Sequence, residues 1–275
     1  MRAPVPDLFA PKGCAALARL LAGPAVFGFD FDGTLAPIRP TPGEVAMDGR
    51  TAAAFAALSA RLPAAVITGR SLADVRPRLA GTPRWVVGNH GAEGMPDADP
   101  AILAAQAATC AAWRAQLEAL GPAGAGIDLE DKRYTLSVHY RQAPDREVAR
   151  RLIATRLPLL VPAPQVVGGK CVFNLLPAGS TDKFGALRCL AHHAGAANAL
   201  FVGDDDNDEI VFRRAPPSWV TVKVGDGPTA ARFRLRGQDA MADCLELLLK
   251  LLPGSDAGAA TGAGSGDAAR PLPRP

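Results

Sequence analysis

The sequence predicts an α/β protein, a parallel-sheet core with an inserted α+β unit, on three observations. Short apolar runs (Val26–Phe29, Ala64–Ile67, Trp85–Val87, Ala199–Val202) alternate with helix-like segments, the order that βαβ units produce. These runs lack a polar face, as strands covered on both sides do. Between residues 95 and 170 the pattern changes: Thr135, Ser137 and His139 alternate with Leu136, Val138 and Tyr140, the mark of a half-exposed antiparallel sheet. The expected organisation is a core of residues 1–94 and 171–252, an α+β insert of 95–170, and a disordered tail at 253–275, where composition falls to Gly, Ala, Ser, Asp and Pro.

In chain order, a helix around Ala15–Leu21 precedes the first strand, which carries Asp30 and Asp32 and breaks at Gly33. Asp48 is an N-cap for a helix through Leu62, with Phe55, Leu58 and Leu62 at helical spacing. The second strand leads into Thr68, Gly69 and Arg70. Ser71 and Asp74 then form a capping-box pattern for a short helix that Pro77 bends or ends. The third strand runs into Gly88, Asn89, His90 and Gly91. In the insert, Asp99 and Pro100 start a helix to about Leu120; strands follow at 127–130 and 133–140, a helix at 144–157, and strands at 165–167 and 171–175. The core resumes with a helix from Ser180–Lys183 to a stop at Gly195, then a strand ending in Gly203, Asp204 and Asp205. A strand at 219–224 and a helix with Leu245, Leu248, Leu249 and Leu252 on one face complete it.

Thirty basic against 27 acidic residues leave a net charge of +3, with no clustered stripe of the kind that binds nucleic acid. No apolar run reaches membrane-spanning length, and residues 1–22 lack a secretory pattern. Five scattered cysteines without a C-x-x-C pair read as reduced thiols. A cytoplasmic protein with a small-molecule partner is expected, and no feature sets its oligomeric state.

Two carboxylates at the end of a buried strand repel each other unless one is protonated or a cation lies between them. An Asp-Gly turn is the plainer reading of Asp30–Gly33 taken alone. Three further segments weigh against it: Thr68 after the second strand, Lys183 at a helix start, and Asp204 with Asp205 and Asp208. A nucleophilic carboxylate, a second carboxyl, a hydroxyl, a lysine and an acidic cluster are the parts of phosphoryl transfer through an aspartyl-phosphate. All-oxygen ligands without a His or Cys cluster favour Mg²⁺ over zinc.

The four segments together resemble the haloacid-dehalogenase phosphatase superfamily over residues ~25 to ~250. The resemblance implies a Rossmann-like core under a type-C2 cap. It makes Asp30 the nucleophile, Asp32 the acid and base, and Thr68 and Lys183 the holders of the phosphoryl oxygens. Mg²⁺ would lie on Asp30, the Asp32 carbonyl and Asp204, with Asp205 a second candidate and Asp208 supporting. Val66–Ser71, Gly88–Glu93, Glu130–Lys132, His139–Arg141, Gly169–Lys170 and Val222–Gly225 are similar to the trehalose-6-phosphate phosphatases. That likeness implies trehalose 6-phosphate as substrate and a lid in which Glu130, Lys132, Arg141, Lys170 and Asn174 grip sugar hydroxyls, with Gly69, Arg70, Asn89 and His90 below. His90 reads as positional rather than catalytic, since Asp32 already serves as acid and base. Two positions depart from the family: Asn174 replaces Glu, and Phe184 follows the core lysine in place of Gly. Losing a charge at Asn174 leaves room for another ester, such as sucrose 6-phosphate, mannosyl-3-phosphoglycerate or glucosylglycerol phosphate. A phosphosugar mutase or a non-catalytic phosphosugar-binding protein are the remaining readings.

Overall fold

Side chains alternate across a strand, so Phe27 and Phe29 of β1 (Ala25–Phe29) face one side of a sheet and Val26 the other, each within its own apolar cluster. The computed structural model describes residues 4–39, 41–120 and 124–252, so the expected tail lies outside the described residues. In chain order the strands are β1, β2 (Ala64–Ile67), β3 (Trp85–Val87), β4 (Asp128–Asp131), β5 (Leu136–His139), β6 (Gln165–Gly169), β7 (Val172–Leu176), β8 (Asn198–Gly203), β9 (Val220–Val224) and β10 (Phe233–Leu235). Six form one sheet, ordered β10-β9-β8-β1-β2-β3, with every pairing parallel. Helices α1 (Pro11–Leu21), α2 (Gly49–Ser59) and α8 (Met241–Lys250) cover the Phe29 face; α6 (Lys183–His193) and α7 (Glu209–Arg214) cover the other.

Local chemistry fixes the helix ends. Asp48 accepts from the amides of Arg50 and Thr51 at the start of α2, a cap worth about 1 kcal/mol. The helix stops at Ser59, three residues short of expectation, because Pro63 disfavours helical backbone at Leu62. Ser71 caps α3 (Leu72–Val75), which tightens into a 3₁₀ turn at Arg76–Arg78, where Pro77 lies. Gly195 ends α6 with a φ of +64°.

The insert holds the antiparallel sheet β4-β5-β7-β6, backed by α4 (Pro100–Ala119) and α5 (Arg146–Arg156). Trp113, Leu117, Leu136, Val138 and Ile153 form its own apolar cluster. Two expectations need correction. The sheet includes β7 and so runs past residue 170, since β6 and β7 are one hairpin turning at Lys170 and Cys171. The polar face of β5 is only partly solvated: Thr135 and Ser137 are fully buried, the first against Asn89 of the core and the second against Asn174 of β7, while His139 stays half-exposed. Helix α7 and strand β10 were not expected; six and three residues are too few to display a period.

Candidate active site

Parallel register brings the polar strand ends together. Phe29 on β1 pairs with Val202 on β8 and with Val66 on β2, so Asp30, Asp204 and Thr68 follow three adjacent strands at one edge. Gly33, at φ +79°, lets the chain turn against Asp204; a Cβ there would collide with the Asp204 carboxylate.

Lys183 enters from the first turn of α6, 2% exposed. Its ammonium lies 2.7 Å from Asp208 Oδ1 and 3.0 Å from Asp30 Oδ1. Burial pulls the ammonium down, but Asp208 and Asp30 outweigh it and raise the lysine above its ordinary value. Burial also pushes the Asp30 carboxyl well up; Lys183 opposes this, while Asp208, Asp204 and Asp32 add to it. Asp204 is raised too, first by burial, against the pull of Lys170. Oxygens of Asp30, Asp204 and Asp208 lie within 4.8 Å of one another. Three buried carboxylates face two ammonium groups, Lys183 from below and Lys170 on Asp204, which leaves a negative excess on an all-oxygen donor set, a charge and chemistry that fit a hard divalent cation. Asp208, not Asp205, completes this group. The Asp205 amide donates to Asp208 Oδ2 at 2.9 Å, and the Asp205 carboxylate turns to Asn207 at 3.1 Å.

Above the triad opens a cleft of about 460 Å³, lined by Asp30, Asp32, Thr68, Gly69, Arg70, His90, Glu130, Lys132, Arg141, Lys170, Asn174, Lys183, Asp204 and Asp205. Of the expected residues only Asn89 and Asp208 stand behind its wall. Arg39, Asp128 and Gln142 also line it, with only scattered polar positions in the sequence to signal them, and so does His139, from a stretch that the family likeness picks out. A larger hollow of about 1290 Å³, bounded by Lys12, Arg19, Trp219 and Arg232, contains none of the expected site residues.

Asp32 is gripped by Arg70, Nε to Oδ2 at 2.7 Å and Nη2 to Oδ1 at 2.6 Å. The buried Thr68 hydroxyl accepts from the Arg70 amide at 3.2 Å. Asn89, with φ at +51°, donates to the Lys132 carbonyl and accepts from the Thr135 hydroxyl, fastening the insert to the core. His90, at φ +60°, rests on Gly69, where a Cβ would meet its ring at 2.5 Å. Burial above all, then the charges of Lys132 and Lys183, holds its imidazole well below the ordinary value, hence neutral at pH 7.

From the insert, Lys170 reaches down to Asp204 Oδ2 at 2.8 Å, and Lys132 donates to the Gly69 carbonyl at 3.1 Å. Arg141 donates to the Lys170 carbonyl at 3.2 Å. The Asn174 amide is engaged internally, accepting from Ser137 at 2.7 Å and donating to the Val167 carbonyl at 3.3 Å. Glu130 meets His139 at 2.7 Å and Lys132 at 3.4 Å. Burial favours its neutral form, but the His139 hydrogen bond and the Lys132 charge prevail and hold it at about 2. A depressed carboxylate stabilises the fold above its ordinary value of 4.5 and loses that contribution as pH falls towards 2. The Glu130 carboxyl ¹³C resonance is therefore expected to titrate with a midpoint near 2, and His139→Ala to move that midpoint upwards.

A parallel sheet with aspartates at the ends of its two central strands, roofed by an inserted antiparallel sheet, defines the capped haloacid-dehalogenase class. Residues 28–239 match the family model described as trehalose-phosphatase, and the chain belongs to that family. A trehalose-phosphate phosphatase of Mycolicibacterium paratuberculosis is 37% identical over 249 residues, 83% of this chain and 63% of that protein. An uncharacterized glycosyl hydrolase of Mycobacterium tuberculosis is 37% identical over 237 residues, 80% of this chain and 18% of that one. The chain thus spans less than two thirds of these curated relatives. In fold it is similar to the C-terminal domain of C. albicans trehalose-6-phosphate phosphatase, with a TM-score of 0.71 and 21% identity over 90% of this chain and 99% of that one. A Synechocystis sucrose-phosphatase superposes with a TM-score of 0.56 and 20% identity, covering 83% and 98%. No helix among the described residues is long and apolar enough to cross a membrane.

Proposed function

We propose that this chain hydrolyses trehalose 6-phosphate to trehalose and phosphate through an aspartyl-phosphate on Asp30. The observation that carries the reading is the buried group Asp30, Lys183, Asp204 and Asp208 at the floor of a cleft roofed by the polar face of the insert. An Asp30 oxygen attacks phosphorus, the bond from phosphorus to the sugar oxygen breaks, and Asp32 gives that oxygen a proton. Asp32 then takes a proton from water; the water oxygen attacks phosphorus, and breakage of the bond to Asp30 restores the carboxylate and frees phosphate. Lys183 and the Thr68 hydroxyl hold phosphoryl oxygens throughout. Asp30, Asp204 and Asp208, with the Asp32 carbonyl, would hold Mg²⁺. When bound, the ion supplies Lewis acidity and charge that works with Lys183 to keep Asp30 ionised. Glu130, Lys132, Arg141 and Lys170 would grip sugar hydroxyls, with His90 and the Gly69 backbone beneath. Five free cysteines fit a reducing, cytoplasmic setting.

A second reading keeps the chemistry and changes the sugar. Asn174 spends its amide on Ser137 and Val167, so the roof has no carboxylate there, and sucrose 6-phosphate stays a rival. The deciding experiment is a panel of sugar phosphates assayed with Mg²⁺ and with EDTA. Trehalose 6-phosphate is expected to be preferred, EDTA to abolish turnover, and Mg²⁺ alone to raise the melting temperature. Preference for another ester overturns the substrate, and no turnover of any ester overturns the enzyme reading.

A further inference from the structure

Arg70 is matched to two carboxylates more closely than to any open space in the cleft. Its Nε and Nη2 take both oxygens of Asp32, and its Nη1 donates to Asp74 Oδ2 at 2.5 Å. The other Asp74 oxygen accepts from Arg78 at 2.8 Å, and Arg78 Nη1 continues to the carbonyls of Gly43 at 2.8 Å and Val45 at 3.1 Å. Two aspartates and two arginines therefore form one brace from the catalytic loop to the rim of the cleft, where Val45 stands. Within it Arg70 is the enclosed member: its side chain is 11% exposed, against 37% for Asp32 and 38% for Asp74. Its guanidinium also lies 5.7 Å from the ring centroid of Phe31, on the same loop as Asp32.

We infer that Arg70 is a positioning residue for Asp32, setting the plane of the carboxylate that protonates the leaving oxygen. The inference rests on the acid–base reading of Asp32 proposed above. A half-exposed aspartate rotates among several orientations, whereas a planar fork accepts a carboxylate in one plane only. Each carboxylate oxygen has two acceptor directions. With one direction on each oxygen taken by Arg70, the directions left over are fixed, and a proton moves along one of them to the sugar oxygen and back from water. This work differs from the substrate contact that family likeness implies, because the nitrogens that would meet a phosphate already meet Asp32 and Asp74. It also gives Asp74 and Arg78 a task, since they keep the fork from turning.

The test compares first-turnover rates on two esters, trehalose 6-phosphate and p-nitrophenyl phosphate, whose nitrophenolate leaves without being protonated. In Arg70→Ala and Arg70→Lys, release of trehalose is expected to fall relative to release of nitrophenolate, the ratio changing by about ten- to a hundredfold, part of what a general acid contributes. Added guanidinium ion should restore part of the loss in Arg70→Ala. Arg70→Lys keeps the charge but not the fork, so the effect remains readable there if the alanine variant folds poorly. A rise in KM for both esters at unchanged kcat, or an equal fall in both rates, overturns the inference. Asp32→Asn is run in parallel. If it shows the leaving-group dependence and the Arg70 variants do not, the positioning role alone fails; if it does not show it, the acid–base reading fails first.

Discussion

Replacing Asp30 with asparagine is expected to lower turnover by a factor of about a thousand or more while the protein stays folded. The substitution keeps the shape and removes the carboxylate that is proposed to attack phosphorus. Folding should tolerate it for an electrostatic reason. Burial, with Asp208, Asp204 and Asp32 nearby, pushes the Asp30 carboxyl well up, so a neutral amide there relieves repulsion, and Lys183 keeps its 2.7 Å contact with Asp208. Two measurements check this: steady-state release of phosphate, and loss of the hydroxylamine-sensitive phosphoenzyme that the proposed route expects of wild type. Full activity in Asp30→Asn would remove the covalent route and leave direct attack by water.

The second large effect belongs to Lys183. Replacing it with methionine preserves the length of the chain but strands Asp30 and Asp208, 4% and 0% exposed, without a counter-charge. Breaking a buried ion pair from one side costs about 3–5 kcal/mol, and that loss is expected in the denaturant midpoint. Turnover should fall with it, since the same ammonium is proposed to hold the phosphoryl group. Mg²⁺ distinguishes the two effects: a divalent cation on the remaining carboxylates should recover stability and leave turnover low. If Lys183→Met is as stable as wild type without Mg²⁺, the lysine is not the counter-charge of the acidic group.

Sequence revealed the parts of the site and left their assembly open. Asp30 and Asp204 were legible because each directly follows an apolar strand, and strand order then puts them side by side. The choice between Asp205 and Asp208 was not, for it depends on a single 3₁₀ turn at Asp206–Asp208 that swings one carboxylate towards Lys183 and the other towards Asn207. That Arg70 grips Asp32 was not legible, because the two lie 38 residues apart, beyond any local period. Thr135 and Ser137 alternate as solvent-facing residues do, yet a polar face pressed onto another polar surface has the same signature. The insert's limit was misplaced at 170 because a hairpin turn and a linker both look like glycine beside a polar residue.

The way the insert is seated has one more consequence. Its apolar cluster around Trp113 is separate from the two clusters of the core. Asn89 to Lys132 and Thr135, Lys132 to Gly69, Lys170 to Asp204 and Gln106 to Ser180 join the two parts. Each of these is a hydrogen bond or ion pair whose groups water can satisfy, so parting them costs only the small net worth of such bonds. Heat capacity changes chiefly when hydrocarbon meets water. The roof is therefore expected to lift with hardly any heat-capacity change, so that the enthalpy of opening stays nearly constant and the logarithm of the open-to-shut ratio runs straight against inverse temperature over the range in which the core itself holds.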